Sequence, residues 1–223
     1  MTKTPFIIGI SGKFGSGKNY LSSHLEEEFI KRGYSCQETS FAKPLKDEMT
    51  NIMSAYRDGI YISKISSQFG ISRYQLNKLI GFVSDEINNY DINGFSKTNG
   101  IRRGLQYLGT DIRRRKDDSY WINLLKGSLP ACDIAFIPDA RFYNEADFTR
   151  KSKGINIRLE VSHEVILQRA TERDKIRYST ISENHISETA LDDYPNFDII
   201  VGDTFDIVKL ADKIESYLLK FKN

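Results

Sequence analysis

Phe6-Ile7-Ile8-Gly9-Ile10-Ser11-Gly12-Lys13-Phe14-Gly15-Ser16-Gly17-Lys18-Asn19 is the stretch on which the reading of this chain turns. The apolar run predicts a buried strand. A glycine-rich turn follows, then a helix with Leu21, Leu25 and Phe29 on one face. Gly12 to Lys18 fits G-x-x-x-x-G-K, the phosphate-binding loop. Glycines at Gly12, Gly15 and Gly17 let the backbone turn tightly, so that successive N–H groups face one concavity. Lys13 and Ser16 lie within that loop. The helix N-terminus adds its positive dipole end, and Lys18 brings an ammonium to the β- and γ-phosphates of a nucleotide. Asn19 stands where a Ser or Thr hydroxyl would reach Mg²⁺, which leaves an amide oxygen for the metal or its water. The plainer alternative is a strand-to-helix turn that binds nothing.

The 223 residues suffice for one substantial core, with room for a small appended subdomain. Hydrophobic content of 39% and charged content of 28% are those of an ordinary globular protein, and a net charge of +2 does not declare a polyanionic partner. Cys36 and Cys132 lack metal-ligand spacing and read as small buried hydrophobes in a reducing cytoplasm. No stretch has the length of a signal peptide's apolar core or a membrane helix, so no membrane partner is expected.

Outward from the loop, further strands are expected at Ser35–Phe41, Asp133–Pro138, Ile155–Val161 and Phe197–Val201. A C-terminal helix presents Ile207, Leu210, Ile214 and Leu218 inward. Pro44 suits the first turn of a helix running through Met49 and Met53. Lys43 and Lys46 there face either an anionic substrate or water. From about Tyr56 to Gly81 the spacing of Ile62, Ile65, Phe69, Leu76 and Leu79 predicts two short helices about a turn at Gly70-Ile71, with Ser72 capping the second. That is the pattern of a helix-turn-helix, and also of any small αα-hairpin. Arg73, Gln75, Asn77 and Lys78 would read bases in the first case and face solvent in the second. Asp91–Gly100 is turn-rich and reads as a connection.

Leu105, Leu108 and Ile112 share a helical face that ends in the cations Arg113 to Lys116, a solvated helix end or a phosphate clamp. Ser119 caps a helix through Trp121, which reads as core or as a ligand platform. The third strand delivers Asp139-Ala140-Arg141-Phe142-Tyr143-Asn144-Glu145 to its carboxyl end, where parallel α/β sheets bind ligands. Arg169, Arg173 and Arg177 fall four apart, on one face if helical, and repel one another unless an anion lies between them.

Together, several stretches resemble the deoxynucleoside monophosphate kinases of bacteriophages, within the P-loop nucleoside-monophosphate-kinase-like group. They are Gly12–Lys18, Phe41–Lys46, Leu105-Gln106-Tyr107-Leu108-Gly109-Thr110-Asp111, Tyr120-Trp121-Ile122, Pro138–Asp147, His185-Ile186-Ser187-Glu188 through Asp193, and Phe197-Asp198-Ile199-Ile200. The resemblance covers both ends of the chain and omits mainly Met53–Gly100. It departs at Asn19 and at Arg113-Arg114-Arg115, where the family has a glycine and one arginine. Arg114 falls on that arginine and Arg113 on the glycine.

The resemblance implies an α/β fold of three layers about a parallel central sheet. The P-loop kinase domain would span 1–223, with a substrate-binding helical region and an arginine-bearing lid; a helix-turn-helix-like helical insertion at about 54–100 stands apart from the motifs that carry the resemblance. It implies ATP and Mg²⁺ as cofactors, a dNMP as substrate, and work in the cytoplasm of a phage-infected host. A homodimer is compatible with it. Lys18, Asp139, Arg141, Arg169 and Arg173 would be catalytic. The loop residues and Arg177 would hold ATP, with Asn19 and Asp139 near the metal. Lys43, Lys46, Arg114, Trp121, Arg141, Glu145 and Glu188 would serve the acceptor. Two alternatives stand beside this. One is a kinase of another small phosphorylated acceptor, like the phosphomevalonate kinases. The other is a P-loop regulator that binds DNA through residues 56–81.

Overall fold

A computed structural model describes residues 4–84, 98–169 and 186–222, in two compact units. One comprises Met1–Phe41 and Leu125–Asn223, the other Ala42–Leu124.

The first unit is built on β1 (Phe6–Gly12), which runs into α1 (Lys18–Lys31) through the glycine-rich loop. Next come β2 (Cys36–Glu38), β3 (Ile134–Ile137) and β4 (Ile155–Leu159), the last followed by Glu160, Val161 and Ser162 before the next helix. β5 (Ile199–Val201) completes a five-stranded sheet of order β2-β3-β1-β4-β5. Every pairing is parallel, and β1 is central between β3 and β4. The α/β class with a parallel sheet, expected from the sequence, is the one observed. The four further strands expected are present, each trimmed by two to four residues.

A parallel sheet covered on both faces needs apolar residues on both. On one face, Phe6, Ile8 and Ile10 of β1 pack under Leu21, Leu25 and Phe29 of α1. The C-terminal helix, Ile207–Lys222, joins them with Leu210, Ile214 and Leu218. The helix Tyr143–Lys151 lies on the opposite face, so close that a Cβ on Gly9 would sit 3.0 Å from Thr149 Oγ1 and 2.7 Å from Asn156 Oδ1. Asn156 is buried there, its amide donating to Ala146 O at 2.9 Å.

Gly154 shows how tightly β4 enters the sheet. A Cβ there would lie 2.3 Å from the carbonyl oxygen of Ile7 and 2.9 Å from that of Thr149. Both obstacles are backbone and cannot rotate away. Gly154→Ala is therefore expected to lose about 1–3 kcal/mol through overpacking, read from the urea midpoint. An unchanged midpoint would mean that β4 shifts without cost.

The second unit is helical. Its elements are α2 (Ala42–Arg57), α3 (Ile62–Phe69), α4 (Arg73–Val83), α5 (Asn99–Gln106) and a π-helical stretch, Tyr107–Arg114. The helix α6 (Tyr120–Gly127) follows. Met49, Ile52, Ile65, Leu76, Leu79, Val83, Leu108 and Ile112 form its core. The two short helices about Gly70 are as the spacing predicts. The turn-rich reading of Asp91–Gly100 needs correction at its end: Thr98 is an N-cap, its hydroxyl accepting the Ile101 N–H, so Asn99 and Gly100 open a helix. Residues 85–97 of the expected insertion lie outside the described residues. The π-helical winding had no sequence signal. It places Gly109 where a Cβ would sit 2.9 Å from Leu45 Cδ2.

Among the described residues no helix is long and apolar enough to cross a membrane. Neither cysteine forms a disulfide among the described residues, and burial pushes the Cys36 thiol up to about 12, which keeps it unreactive at neutral pH.

Candidate active site

The glycine-rich loop sits at the carboxyl end of β1, on the central strand of the sheet. Gly17 is the N-cap of α1 in the left-handed region, φ 91° and ψ 23°, and Gly15 has φ 76°. These are conformations that glycine adopts without steric cost. The first-turn N–H groups of α1 have no intrahelical acceptors and point out of the helix end. Gly12 is needed for close approach. A Cβ there would lie 2.6 Å from Ser16 Oγ and 2.9 Å from Leu159 O. Ser16 is buried, and its hydroxyl has no hydrogen-bond partner among the described residues. A buried hydroxyl without a partner is costly, so this one is a natural ligand contact.

Lys18 folds back over the loop, donating to Gly12 O and Lys13 O, both at 2.8 Å. Burial and the neighbouring guanidinium of Arg141 bring its ammonium down to about 7, with Arg158 acting in the same direction. Glu188 and Asp139 oppose them. A lysine held so far below its ordinary value lacks sufficient counter-charge, which an oligophosphate would supply.

Arg141 follows β3 and pairs with Glu188, and it also donates to Ser187 O at 3.2 Å. Burial works against its charge, but Glu188, Asp139 and Glu145 outweigh it and raise its pKa above the ordinary arginine value. Glu145 is buried and accepts the backbone N–H groups of Arg141 (2.7 Å) and Phe142 (3.2 Å). It therefore fixes the turn that carries Arg141 and does not itself offer a free carboxylate. Asp139 accepts the Phe41 N–H at 3.0 Å, tying the strand end to the segment after β2. Lys13 pairs with Asp192 and donates to Glu188 O at 3.2 Å.

Two residues here were not assigned from the sequence. Arg158 is buried on β4, in register with Ser11 of β1, and donates to Asp192 Oδ1 at 2.8 Å. An arginine inside an apolar strand was the available signal. Asp192 bridges Lys13 and Arg158. The segment Glu188–Asp192, which begins within the short helix Ile186–Thr189, thus supplies the carboxylates of a cluster whose cations are Lys13, Lys18, Arg141 and Arg158.

Asn19 is exposed on the first turn of α1. Arg169 ends the helix His163–Arg169 and donates to Asp203 O at 2.7 Å. Arg173, Arg177 and His185 lie outside the described residues.

Lys43, Lys46, Arg114 and Trp121 belong to the second unit. Lys43 is exposed and Lys46 half-buried, both in the first turn of α2. Arg114 is buried and donates to the carbonyl of Asp118 at 3.1 Å. Trp121 is 3% exposed and its indole N–H donates to Gly109 O at 3.0 Å. The ring is packed into this unit's interior and its polar edge is already satisfied. Arg113, which the family pattern would have as glycine, is buried and paired with Glu48. It donates to Glu48 Oε1 through Nε at 2.8 Å and to the C-terminal carbonyl of α3, Phe69 O, at 2.6 Å.

No protein-family profile matches the chain, and no curated protein matches it. Solved structures do. The APS kinase CysC of Mycobacterium tuberculosis, in complex with AMPPNP and APS, is 13% identical with a TM-score of 0.45, over 97% of this chain and 99% of that one. Shikimate kinase from Aquifex aeolicus is 14% identical with a TM-score of 0.39, over 97% and 98%. A gluconokinase from Sinorhizobium meliloti is 13% identical with a TM-score of 0.39, over 98% and 94%. Likeness at this level identifies no substrate.

Proposed function

We propose that this chain is an ATP-dependent deoxynucleoside monophosphate kinase that transfers the γ-phosphoryl group to a dNMP, giving dNDP and ADP. The observation that carries the phosphate site is the loop Gly12–Lys18 at the end of the central strand, with Lys13, Lys18, Arg141 and Arg158 gathered about it. The dNMP acceptor rests on the sequence resemblance to the phage enzymes, which also carries the phage-encoded, host-cytoplasmic setting.

The residues fit a nucleotide triphosphate. Gly12 lets the loop close against Ser16 and Leu159 because it lacks a Cβ, and Ser16 offers a hydroxyl with no partner among the described residues. Mg²⁺ binds with few protein ligands and the substrate phosphates, so Asn19 and Asp139 are adequate donors, directly or through water. Together ATP and Mg²⁺ supply the transferable phosphoryl group and neutralise charge on its oxygens.

The protein positions and screens. Loop amides and Lys18 hold the β- and γ-phosphates. Arg141 holds the acceptor phosphate, whose oxygen is already anionic and needs no strong base, and the resemblance assigns Arg114 to the acceptor as well. Glu145 keeps Arg141 in place through the two backbone N–H groups it accepts. The resemblance gives Arg169, Arg173 and Arg177 the task of supplying positive charge to the transferring group and excluding water, which would otherwise hydrolyse ATP.

A coupled ADP-release assay tests this reading, with ATP, Mg²⁺ and each dNMP beside the ribonucleotides and phosphomevalonate. Turnover on at least one dNMP, falling about 10²-fold or more in Arg141→Ala, is the expected result. Turnover on phosphomevalonate alone, or on no acceptor, would sink the assignment.

A further inference from the structure

The kinase reading gives no task to the α3–α4 pair, which has features that a packing hairpin does not require. Gly70 ends α3 in the left-handed region, φ 59° and ψ 38°. Ser66 Oγ donates to Ile71 O at 2.6 Å, bracing the turn. Ser72 and Gln75 form a reciprocal capping box: the Ser72 hydroxyl accepts the Gln75 N–H at 3.2 Å and Gln75 Oε1 accepts the Ser72 N–H at 3.0 Å. Ile65, Ile71, Leu76 and Leu79 are spent inward on the unit's own core. The two helices are thus joined rigidly by three residues, as in a helix-turn-helix.

The outward face is a second, independent observation. Lys64, Arg73, Tyr74, Asn77 and Lys78 are all exposed, Tyr74 at 74%. From Gly59 to Ser84 there is no Asp or Glu, although 30 of the chain's 223 residues are acidic. A merely solvated helix surface has both signs interspersed, with acids four residues from bases. A stretch without acids that exposes cations, a phenol and an amide is complementary to a phosphate backbone and its base edges.

We propose that α3–α4 is a duplex-DNA-binding site, with the N-terminal half of α4 entering the major groove. Arg73 and Asn77, four apart on one face, reach base edges. Lys64, Tyr74 and Lys78 contact phosphates. The pairings available to Arg and Asn are guanine and adenine respectively.

Fluorescence anisotropy of the full chain with a labelled duplex of about 20 base pairs tests this, from 50 to 300 mM KCl. The length covers two turns of DNA, enough for one helix-turn-helix. Binding should weaken with salt, with a slope of log K on log salt of about −2 for two phosphate-contacting cations. The Arg73→Glu/Lys78→Glu double variant should bind at least about tenfold more weakly, with circular dichroism, melting and dNMP kinase turnover as in the parent. Tyr74→Ala, at an exposed position, should weaken binding about threefold or more. Three outcomes would overturn the proposal: no binding at 50 mM KCl, parental affinity in both variants, or a single strand of equal length bound as tightly as the duplex.

Discussion

Lys18→Met is expected to lower phosphoryl transfer by about 10²–10³-fold or more and, at the same time, to raise the melting temperature of the ligand-free protein. The two effects have one cause. Lys18 is buried beside Arg141 and Arg158, and its pKa falls from 10.5 to about 7. The unfolded chain holds a proton on this lysine up to pH 10.5, whereas the folded chain releases it near 7. Between those values the unfolded state binds more protons, so stability falls as pH drops from 10.5 towards 7. Below 7 the penalty is complete. Methionine keeps the aliphatic volume and removes the penalty. The gain in melting temperature should therefore be greatest near pH 6 and vanish near pH 11. Differential scanning fluorimetry across that range, on parent and variant, measures it. A gain independent of pH, or a loss at pH 6, would show that the ammonium is not held against its charge. Undiminished turnover would end the P-loop assignment. The same linkage predicts proton uptake when ATP binds at pH 8, since the phosphates restore the ammonium. Titration calorimetry in buffers of different ionisation enthalpy reads that uptake.

Glu48→Ala should cost about 3–5 kcal/mol of stability, the largest effect expected from a single change outside the phosphate site. Its partner Arg113 has a side chain only 9% exposed, and Glu48 itself is 11% exposed. Removing the carboxylate leaves a buried guanidinium with the Phe69 carbonyl as its other acceptor among the described residues, and Tyr120 loses the contact of its hydroxyl with Glu48 Oε2, at 3.2 Å. Urea denaturation followed by circular dichroism gives the loss. Combining Glu48→Ala with Arg113→Met should recover much of it, because the uncompensated charge goes too. A loss under about 1 kcal/mol in the single variant would place the pair in the class of hydrated surface bridges. The pair also accounts for a departure noted in the sequence. Arg113 stands where the family pattern has glycine, and it is committed to Glu48 and to the end of α3.

Much of this protein was legible in its sequence because the decisive signals are local. An apolar run, a G-x-x-x-x-G-K loop and a helix with a 3.6-residue apolar period specify β1, the phosphate loop and α1 without reference to anything distant. The same holds for the turn at Gly70, which needs a residue free to adopt positive φ, and for the cap at Ser72. Strand ends were less legible, since a strand stops where its partner stops, and the partner is elsewhere in the chain. Only the tertiary structure decided which charges meet. Glu188 and Asp192 are remote in sequence from Lys13, Arg141 and Arg158, and a parallel sheet with β1 at its centre brings them to one end. It also decided that Trp121, read from the sequence as core before ligand platform, has its indole N–H satisfied within the second unit, and that Ser16 has a buried hydroxyl with no partner among the described residues. Pairing and burial depend on contacts between distant residues, whereas propensity and periodicity are written along the chain.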